Sequence, residues 1–339
     1  MVVLRRACKI ALIADIFLIA LLAKAAAPLG ALCVPLAYPT SRTAQQAQTP
    51  DWCKSLPHLE YKSLERIQTS DPWFEVYKVA PQTFALYEPH QFEEVISYLI
   101  LGKEAAILFD TGMGISDIHK VVSELTPLPI IVLNSHTHND HVGGNWQFDT
   151  IYGMDTDFTR QNAKGSSADA QDELAPGQVC GDLPKGFDAK TYRTKPWSII
   201  KFIQDGEVLD LGGREVQVIA TPGHTPDSIC LLDSAAGLLF TGDTFYPAPI
   251  WLYRPETDLA AYESSVLRLE LEARNVKLVL GAHNIPVAPS SVLPKLAVAA
   301  SELQSLSNHG KGKGHCKPSE PGKKTCKVGD FTFLLHATP

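Results

Sequence analysis

The sequence lacks several patterns that mark common classes of protein. None of its seven cysteines forms a CxxC pair, which argues against a structural zinc site built from cysteines. Basic residues are not in excess: the net charge is -7 and the pI is near 5.9, so we expect no nucleic-acid partner. No motif for a serine or cysteine nucleophile is present, and there is no repeat of solenoid type. Any catalysis must therefore depend on groups other than a serine or cysteine nucleophile.

The chain also lacks an apolar run of the length that an ordinary transmembrane helix needs. The apolar run from Ile10 to Leu22 has 13 residues, and Asp15 interrupts it. Basic residues precede this run and small residues follow it, which is typical of an export signal. We therefore expect residues 1–27 to be a signal peptide and the protein to be periplasmic or secreted. An uncleaved N-terminal anchor is the alternative, and we expect no other membrane association.

Export would place the cysteines in an oxidising compartment, where disulfides persist. Cys316 and Cys326 lie ten residues apart, and we predict that they pair. Cys53 with Cys180 is a second predicted disulfide. Cys230 lies in an apolar run and is predicted to be a buried free thiol.

Composition divides the chain into four parts. After the signal, residues 28–72 are predicted to form a linker and irregular lead-in, and regular structure is predicted from Trp73. A single folded domain is predicted over residues 73–306. Residues 164–195, rich in Gly, Ser, Asp, Ala and Pro, are predicted to be an insertion near the site and a candidate lid. Residues 307–339 are predicted to be a solvated Lys/Gly-rich tail that carries one disulfide.

Hydrophobic periodicity and turn residues predict strands and helices in a repeated order. On either side of the insertion, strands are followed by a helix, which predicts two similar sheets with helices outside and a site between them. The fold class is therefore α/β (α+β). The predicted strands are 74–79, 83–87, 95–101, 105–109, 129–133, 151–154, 199–203, 207–211, 215–220, 228–232, 237–241, 276–280 and 331–335, and the predicted helices are 115–124, 155–163, 259–272 and 291–306.

The chemistry is concentrated in the segment from Asn134 to Asn145. Four side chains of types that bind metals fall within six residues, in the pattern H-x-H-x-D-H: His136, His138, Asp140 and His141. Two histidines two apart in an extended chain point the same way, so both can reach one ion. Asp140 and His141 follow where the chain bends, and can face a second ion beside the first.

Three further predicted strands are each followed by a residue of a type that binds metals. His224 ends the segment 218–224, Asp243 ends the segment 238–243, and His283 ends the segment 279–283. Together with the first motif this makes five histidines and two aspartates. Seven such donors at strand ends suit two divalent ions, with positions left for water and substrate.

The order of these motifs resembles that of the metallo-β-lactamase-fold hydrolases. The shared patterns are F-D-T-G at 109–112, H-x-H-x-D-H, P-G-H-T, T-G-D and G-x-H, and they extend the resemblance over residues 73 to 300. The resemblance implies a four-layer αβ/βα sandwich, with two sheets inside and helices on both outer faces.

The same resemblance implies a role for each donor. The first ion would be held by His136, His138 and His224, the second by Asp140, His141 and His283, and Asp243 would bridge them. Asp110 matches an acid that orients the ligand loop. Imidazole with carboxylate suits two Zn²⁺ ions, with iron or manganese as the alternatives.

The expected reaction is hydrolysis of an ester, thioester or lactone in a small-molecule substrate. A hydroxide between two ions is a nucleophile at neutral pH, since metal binding lowers the pKa of water to about 7. Asp140 is the predicted catalytic residue, which would orient this hydroxide. One ion would polarise the carbonyl group, and the other would stabilise the leaving group.

Several substrates and functions remain open. Asp243 favours the glyoxalase II-like thioesterase and lactonase branch, because β-lactamases of this fold usually lack a bridging aspartate there. The segment 202–212 and the aromatic loop after Asp243 resemble acyl-thioester hydrolases, and Phe245, Tyr246, Trp251 and Tyr253 are candidates for an apolar wall. The alternatives are β-lactam hydrolysis, a persulfide dioxygenase with one iron, and a protein with a vestigial metal site. Tyr87 and His90 are candidates for reaching the cleft, and the oligomeric state is not predicted.

Overall fold

The computed structural model of the chain describes residues 49–166, 168–310 and 312–337; the predicted signal peptide and residues 28–48 of the predicted linker lie outside them. Within these residues the strands are β1 (Glu65–Ile67), β2 (Glu75–Ala80), β3 (Thr83–Tyr87), β4 (Ile96–Leu101), β5 (Ala106–Phe109), β6 (Ile130–Leu133), β7 (Ile151–Met154), β8 (Lys201–Ile203), β9 (Val208–Asp210), β10 (Glu215–Ala220), β11 (Ile229–Asp233), β12 (Leu238–Gly242), β13 (Ile250–Leu252), β14 (Leu278–Gly281), β15 (Ala288–Pro289), β16 (Gly314–Pro318), β17 (Lys323–Val328) and β18 (Phe331–His336). The α-helices are α1 (Ile118–Leu125), α2 (Asn139–Val142), α3 (Asp157–Asn162), α4 (Ala168–Asp172), α5 (Leu259–Glu272) and α6 (Val292–His309). Short 3-10 helices cover Trp52–Ser55, Leu59–Ser63 and Asn145–Gln147.

The first sheet contains β1 to β8 in the order of the sequence. Strands β1 to β5 pair antiparallel, whereas β5, β6, β7 and β8 pair parallel. Strand β5 is buried along its whole length, as expected for a parallel strand covered on both faces. Because β5 and β6 are parallel neighbours, Asp110 and the H-x-H-x-D-H segment emerge at the same edge of the sheet.

The second sheet has the order β15-β14-β12-β11-β10-β9. Strands β12 and β14 pair parallel, while the other neighbours pair antiparallel. This arrangement brings together the chain segments that follow β10, β12 and β14. Those segments carry His224, Asp243 and His283.

Three groups of buried side chains show the layers of the fold. The central group lies between the two sheets and includes Phe109 from β5 and Phe240 from β12, whose rings meet at 6.3 Å. The second group packs helix α1 against the outer face of the first sheet. The third packs α5 and α6 against the outer face of the second. The order helix, sheet, sheet, helix confirms the predicted αβ/βα sandwich.

The C-terminal segment differs from the predicted solvated tail. Strands β16, β17 and β18 form a sheet with β13, and β18 pairs parallel with β13 of the aromatic loop. Cys326, Phe333 and Leu335 from this sheet are buried in the core under α6. Regular structure also begins earlier than predicted. Strand β1 lies within the predicted lead-in and pairs with β2. None of the helices in the described ranges is long and apolar enough to cross a bilayer.

Both predicted disulfides are present, and Cys230 is a buried free thiol. The bond between Cys53 and Cys180 joins the N-terminal region to the insertion across 127 residues of sequence. Two backbone hydrogen bonds hold the same part of the insertion, from Cys180 N to His90 O at 2.8 Å and from Phe92 N to Gln178 O at 2.9 Å. The insertion is therefore fastened to the loop between β3 and β4.

Candidate metal centre and active site

Three imidazoles converge on one point at the end of β6. Nε2 of His136 lies 2.9 Å from Nδ1 of His138 and 3.2 Å from Nε2 of His224, and the last two atoms are 3.1 Å apart. In tetrahedral zinc sites the Zn–N distance is about 2.0–2.1 Å, which separates neighbouring ligand atoms by about 3.4 Å. The observed triangle is close to that size, so these three nitrogens fit one ion.

Hydrogen bonds on the outer side of the rings show which nitrogens carry protons. His138 Nε2 donates to Glu256 Oε1 at 2.7 Å, and His224 Nδ1 donates to the carbonyl oxygen of Trp251 at 2.8 Å. The inner nitrogen of each neutral ring is then left with a lone pair. Lone pairs that face one another at 3.1 Å repel, and a cation between them removes the repulsion.

A second group of donors lies beside the first. Nε2 of His141 is 3.1 Å from Oδ2 of Asp140, and Nε2 of His283 is 3.7 Å from the same oxygen. The outer nitrogens are again fixed by acceptors: His141 Nδ1 donates to Asp110 Oδ2 at 2.9 Å, and His283 Nδ1 donates to the carbonyl oxygen of Glu93 at 2.6 Å. This second group therefore also presents its ligand atoms inward.

Asp243 stands between the two groups. Its Oδ1 is 3.0 Å from His283 Nε2 and 3.4 Å from His141 Nε2, whereas its Oδ2 is 3.6 Å from His224 Nε2. Within the described chain, neither His141 Nε2 nor Asp243 Oδ1 makes a hydrogen bond of good geometry, although both atoms are buried. Buried polar atoms seldom stay unpaired, and two cations would satisfy both. The donor set thus fits two metal ions joined by one carboxylate.

Two backbone features hold the ligand loops in place. Asp110 adopts a left-handed conformation, with φ of 69°, and accepts a hydrogen bond from Ser135 N at 2.7 Å as well as the one from His141. Gly242 also has a positive φ of 50°, and a Cβ atom there would lie 2.3 Å from the Cβ of Ser135. Only glycine lets the chain before Asp243 approach the first motif this closely.

A buried carboxylate ties the first ligand loop to the loop of His224. Asp227 is 2% exposed and accepts hydrogen bonds from Thr137 Oγ1 at 2.6 Å and from Thr225 Oγ1 at 2.7 Å. Thr137 lies between the two histidines of H-x-H, and Thr225 follows His224. The residue pattern P-G-H-T-P-D therefore also supplies the link that holds the two loops together.

The electrostatics of the buried groups match the needs of cation binding. Burial and the neighbouring imidazoles lower the pKa of His136 well below its usual value, and burial lowers the pKa of His224 to about 4. Burial opposes ionisation of Asp243, but His283 and His141 hold its carboxyl pKa below the usual range. Burial also opposes protonation of His283, yet Asp243 raises its pKa to about 9. The second group therefore attracts positive charge, and a divalent ion would displace protons from it.

Several residues of this site carry no signal in the sequence. The space between the two groups, about 30 Å³, is bounded by Glu93, Glu173 and Arg254 in addition to the predicted residues Tyr246 and Trp251. Glu173 comes from the insertion, and its Oε2 accepts a hydrogen bond from Asn139 Nδ2 at 2.6 Å. The insertion therefore contributes a side chain to the site, beside the H-x-H-x-D-H motif. A larger cavity of about 340 Å³ adjoins this space through His138, Asn139 and Arg254.

The predicted aromatic wall is only half correct. Tyr246 and Trp251 do line the site, and the Tyr246 ring lies 4.8 Å from that of His283. Phe245 instead packs in the core under α5 and α6, and Tyr253 lies against Trp251 and Lys323. The prediction that Tyr87 and His90 reach the cleft is wrong. The Tyr87 hydroxyl bonds to Glu94, and the His90 ring lies against Trp73.

Comparison with known proteins agrees with this geometry. The family model described as "Metallo-beta-lactamase superfamily" matches residues 92–283, more than half of the chain. The chain belongs to the metallo-beta-lactamase superfamily. It is a hydrolase of this superfamily, as the motifs predicted, and His/Asp groups able to hold metal ions lie where the seven donors were expected.

Among curated proteins, the acyl-coenzyme A thioesterase MBLAC2 of Homo sapiens is 28% identical over 200 residues, which covers 55% of this chain and 71% of the relative. The lactamase-like protein aptB of Emericella nidulans is 28% identical over 197 residues, covering 57% of this chain and 51% of that protein. These similarities cover little more than half of this chain.

Solved structures show the same fold at low sequence identity. A metallo-beta-lactamase from Erythrobacter litoralis has a TM-score of 0.50 and 16% identity, and covers 70% of this chain and 100% of that one. The sec-alkylsulfatase Pisa1 from Pseudomonas sp. has a TM-score of 0.52 and 16% identity, and covers 69% of this chain and 42% of that one. The sandwich is thus that of the superfamily.

The contact between Glu256 and His138 leads to a testable prediction. Glu256→Gln keeps the shape of the side chain but removes the charge that stabilises His138 Nε2–H. We expect metal affinity to fall by about 10-fold, because partners of metal-bound histidines contribute at this level. Competition with a chromophoric chelator measures the affinity. Glu302→Gln, on α6, is the matched control, and equal affinities in the two variants would contradict the role of Glu256.

Proposed function

We propose that this protein hydrolyses thioesters of small molecules with the aid of two zinc ions. The observation that carries the proposal is the pair of donor groups with Asp243 between them, which offers one carboxylate oxygen to each. Divalent ions in these positions would supply an electrophile for the substrate carbonyl and would acidify a water molecule.

The protein's own groups would arrange the reactants. Asp140 is 8% exposed and lies at the edge of the space between the two donor groups, where its carboxylate can accept a hydrogen bond from the attacking water. The rings of Tyr246 and Trp251 cover one side of the space and exclude bulk water from it. Because the space is small, the rest of the substrate must extend into the adjoining cavity beside Arg254.

Three observations favour a thioester over other carbonyl substrates. The relative with the thioesterase name is 28% identical to this chain over 200 residues. Asp243 also lies between the two donor groups, as the resemblance to the glyoxalase II-like thioesterase and lactonase branch implies. The adjoining cavity has a polar lining that includes Asn139, Asn162 and Glu256, which suits a substrate arm rich in hydrogen-bonding groups.

The proposal is tested on purified protein that has been stripped of metal and reloaded with zinc, manganese or iron(II). The substrates are an acyl-coenzyme A, an S-acyl-N-acetylcysteamine, a p-nitrophenyl ester, a lactone and a cephalosporin. We expect two zinc equivalents per chain and the highest kcat/KM for the thioesters. Faster cephalosporin hydrolysis, or one iron equivalent with oxygen uptake, would contradict the proposal.

We also propose that the protein works outside the cytoplasm. The charged, apolar and small-residue order of residues 1–27 supports export, and the two disulfides fit an oxidising compartment. Fractionation of cells that express the full chain, with N-terminal sequencing of the product, tests this. Recovery of the intact chain in the cytoplasm would contradict it.

A further inference from the structure

A separate cavity, of about 750 Å³, lies next to the metal-ligand loop, apart from the two spaces assigned to the reaction. We call it the lateral groove, and it is lined in particular by Gly143, Trp146, Lys185, Phe187, Arg193 and Lys195. It lies between the start of α1, the turn that follows His141, and residues 184–195 of the insertion. Its volume is within the range of about 300–1,000 Å³ that is usual for sites of small molecules and cofactors.

The groove collects positive charge in an acidic protein. Lys185, Arg193 and Lys195 are exposed, and in the described part of the chain none of them forms an ion pair with a carboxylate. Two carboxylates also line the groove, but each is engaged locally. Asp117 caps α1 by accepting from Lys120 N at 2.9 Å, and Asp188 accepts from the hydroxyl of Thr191 at 3.0 Å. The three cations outnumber these two carboxylates and are paired with neither, so the lining keeps a net positive charge that an anionic ligand would meet.

An aromatic surface lies among these cations. Trp146 is 45% exposed, although indole side chains are usually well buried. The ammonium of Lys195 lies 3.2 Å from the centre of its ring, so a flat apolar surface and a positive charge meet at one place. Exposed aromatic rings beside basic side chains bind nucleobases by stacking and the attached phosphates by charge.

The groove shares a wall with the cavity that leads to the metal site. Along residues 193–195, Arg193 and Lys195 line the lateral groove, while Thr194 lines the cavity beside His138 and Arg254. We infer that the lateral groove binds the base and phosphates of a nucleotide. This nucleotide is either the nucleotide end of a coenzyme A thioester, which rests on the proposed function, or a free nucleotide that acts on the enzyme.

Calorimetry with adenosine 3′,5′-bisphosphate tests the groove itself. We expect binding that persists after the metals are removed, because the groove residues are not metal ligands. Single changes of Lys185, Arg193 or Lys195 to Gln should each weaken binding by about 10-fold, and the triple variant by about 100-fold or more. Trp146→Ala should weaken binding as well, by about 10-fold.

The matched control is a triple change of Arg274, Lys317 and Lys327 to Gln, which removes the same charge from exposed positions outside the groove. No binding by the unaltered protein would overturn the inference. Equal loss of affinity in the two triple variants would overturn it too, since that result would reflect net charge alone. Circular dichroism confirms that both variants fold.

Kinetics then separate the two sources of the nucleotide. If the groove holds the nucleotide end of acyl-coenzyme A, the triple change of Lys185, Arg193 and Lys195 to Gln should raise the KM for acyl-coenzyme A by about 100-fold. The KM for S-acyl-N-acetylcysteamine, which has no nucleotide, should stay unchanged. If the ligand is a free nucleotide, adding the bisphosphate changes hydrolysis of both thioesters. If neither thioester is hydrolysed, the proposed function fails, and the calorimetry still decides whether the groove binds nucleotides.

Discussion

Replacement of His136 by alanine is expected to abolish metal-dependent hydrolysis and to leave the fold intact. His136 Nε2 faces the ligand atoms of both His138 and His224, and its ring lies 4.1 Å from that of His141. Its loss removes one ligand of the first ion and opens the space between the two groups. We expect kcat/KM to fall by at least about 1,000-fold, or about 4 kcal/mol of transition-state stabilisation.

Metal content and turnover are measured together, since the two should fall in parallel. His336→Ala is the control, because that histidine is exposed on β18. Circular dichroism on metal-free samples compares the folds, as bound metal would itself stabilise the unaltered protein. Unchanged turnover in the His136 variant would refute its assignment as a ligand.

The second large effect is expected for Asp110→Asn. Asp110 accepts from Ser135 N with one oxygen and from His141 Nδ1 with the other. An amide can accept at only one of these positions, and its NH₂ group then faces a second donor. If His141 moves its proton to Nε2 to avoid this clash, it loses the lone pair that would bind metal. We expect metal affinity to fall by about 10- to 100-fold.

The same change is expected to lower the free energy of unfolding of the metal-free protein by about 2 kcal/mol, because a buried donor is left without an acceptor. Asparagine tolerates the left-handed backbone conformation of position 110, so backbone strain should not contribute to the change in the free energy of unfolding. Asp233→Asn is the matched control. Asp233 is equally buried at the end of β11, but it accepts hydrogen bonds from Arg214 Nε at 2.7 Å and Ala236 N at 2.9 Å, and it contacts none of the ligand loops. Equal metal affinities in the two variants would contradict the role of Asp110.

The donor side chains that follow strands in the sequence do come together in the structure. His136, His224 and His283 each stand just after an apolar strand, and parallel pairing of β5 with β6 and of β12 with β14 brings those strand ends together. The spacing H-x-H-x-D-H is local, so it needs no knowledge of the fold to be recognised. The helix, sheet, sheet, helix layers could also be predicted from local patterns, because strands are followed by amphipathic helices on both sides of the insertion.

The residues that escaped prediction depend on contacts between distant segments. Glu173 reaches Asn139 only because the insertion is fastened to the loop between β3 and β4, and no local pattern signals this. Glu256 lies 118 residues from His138 in the sequence. The sequence around a carboxylate in a loop does not show whether that side chain faces solvent or a metal ligand.

The C-terminal tail was mistaken for a loop because of its lysines. In β17 the Lys-rich sequence is a strand whose Cys326 and Val328 point into the core under α6. Lysines on the strands of a small exposed sheet discourage pairing with other chains, so a charged composition is compatible with strand structure. The hydrophobic alternation that reveals the strand is short, and the strand is stabilised by pairing with β16 on one side and β18 on the other.

The central claim is that seven side chains hold two ions joined by Asp243. The most direct test is a crystal structure of the zinc-loaded protein with anomalous diffraction data collected at the zinc edge. Two anomalous peaks are expected, one beside His136, His138 and His224 and one beside Asp140, His141 and His283, with one oxygen of Asp243 directed at each. A single peak, or two peaks that Asp243 does not join, would contradict the account.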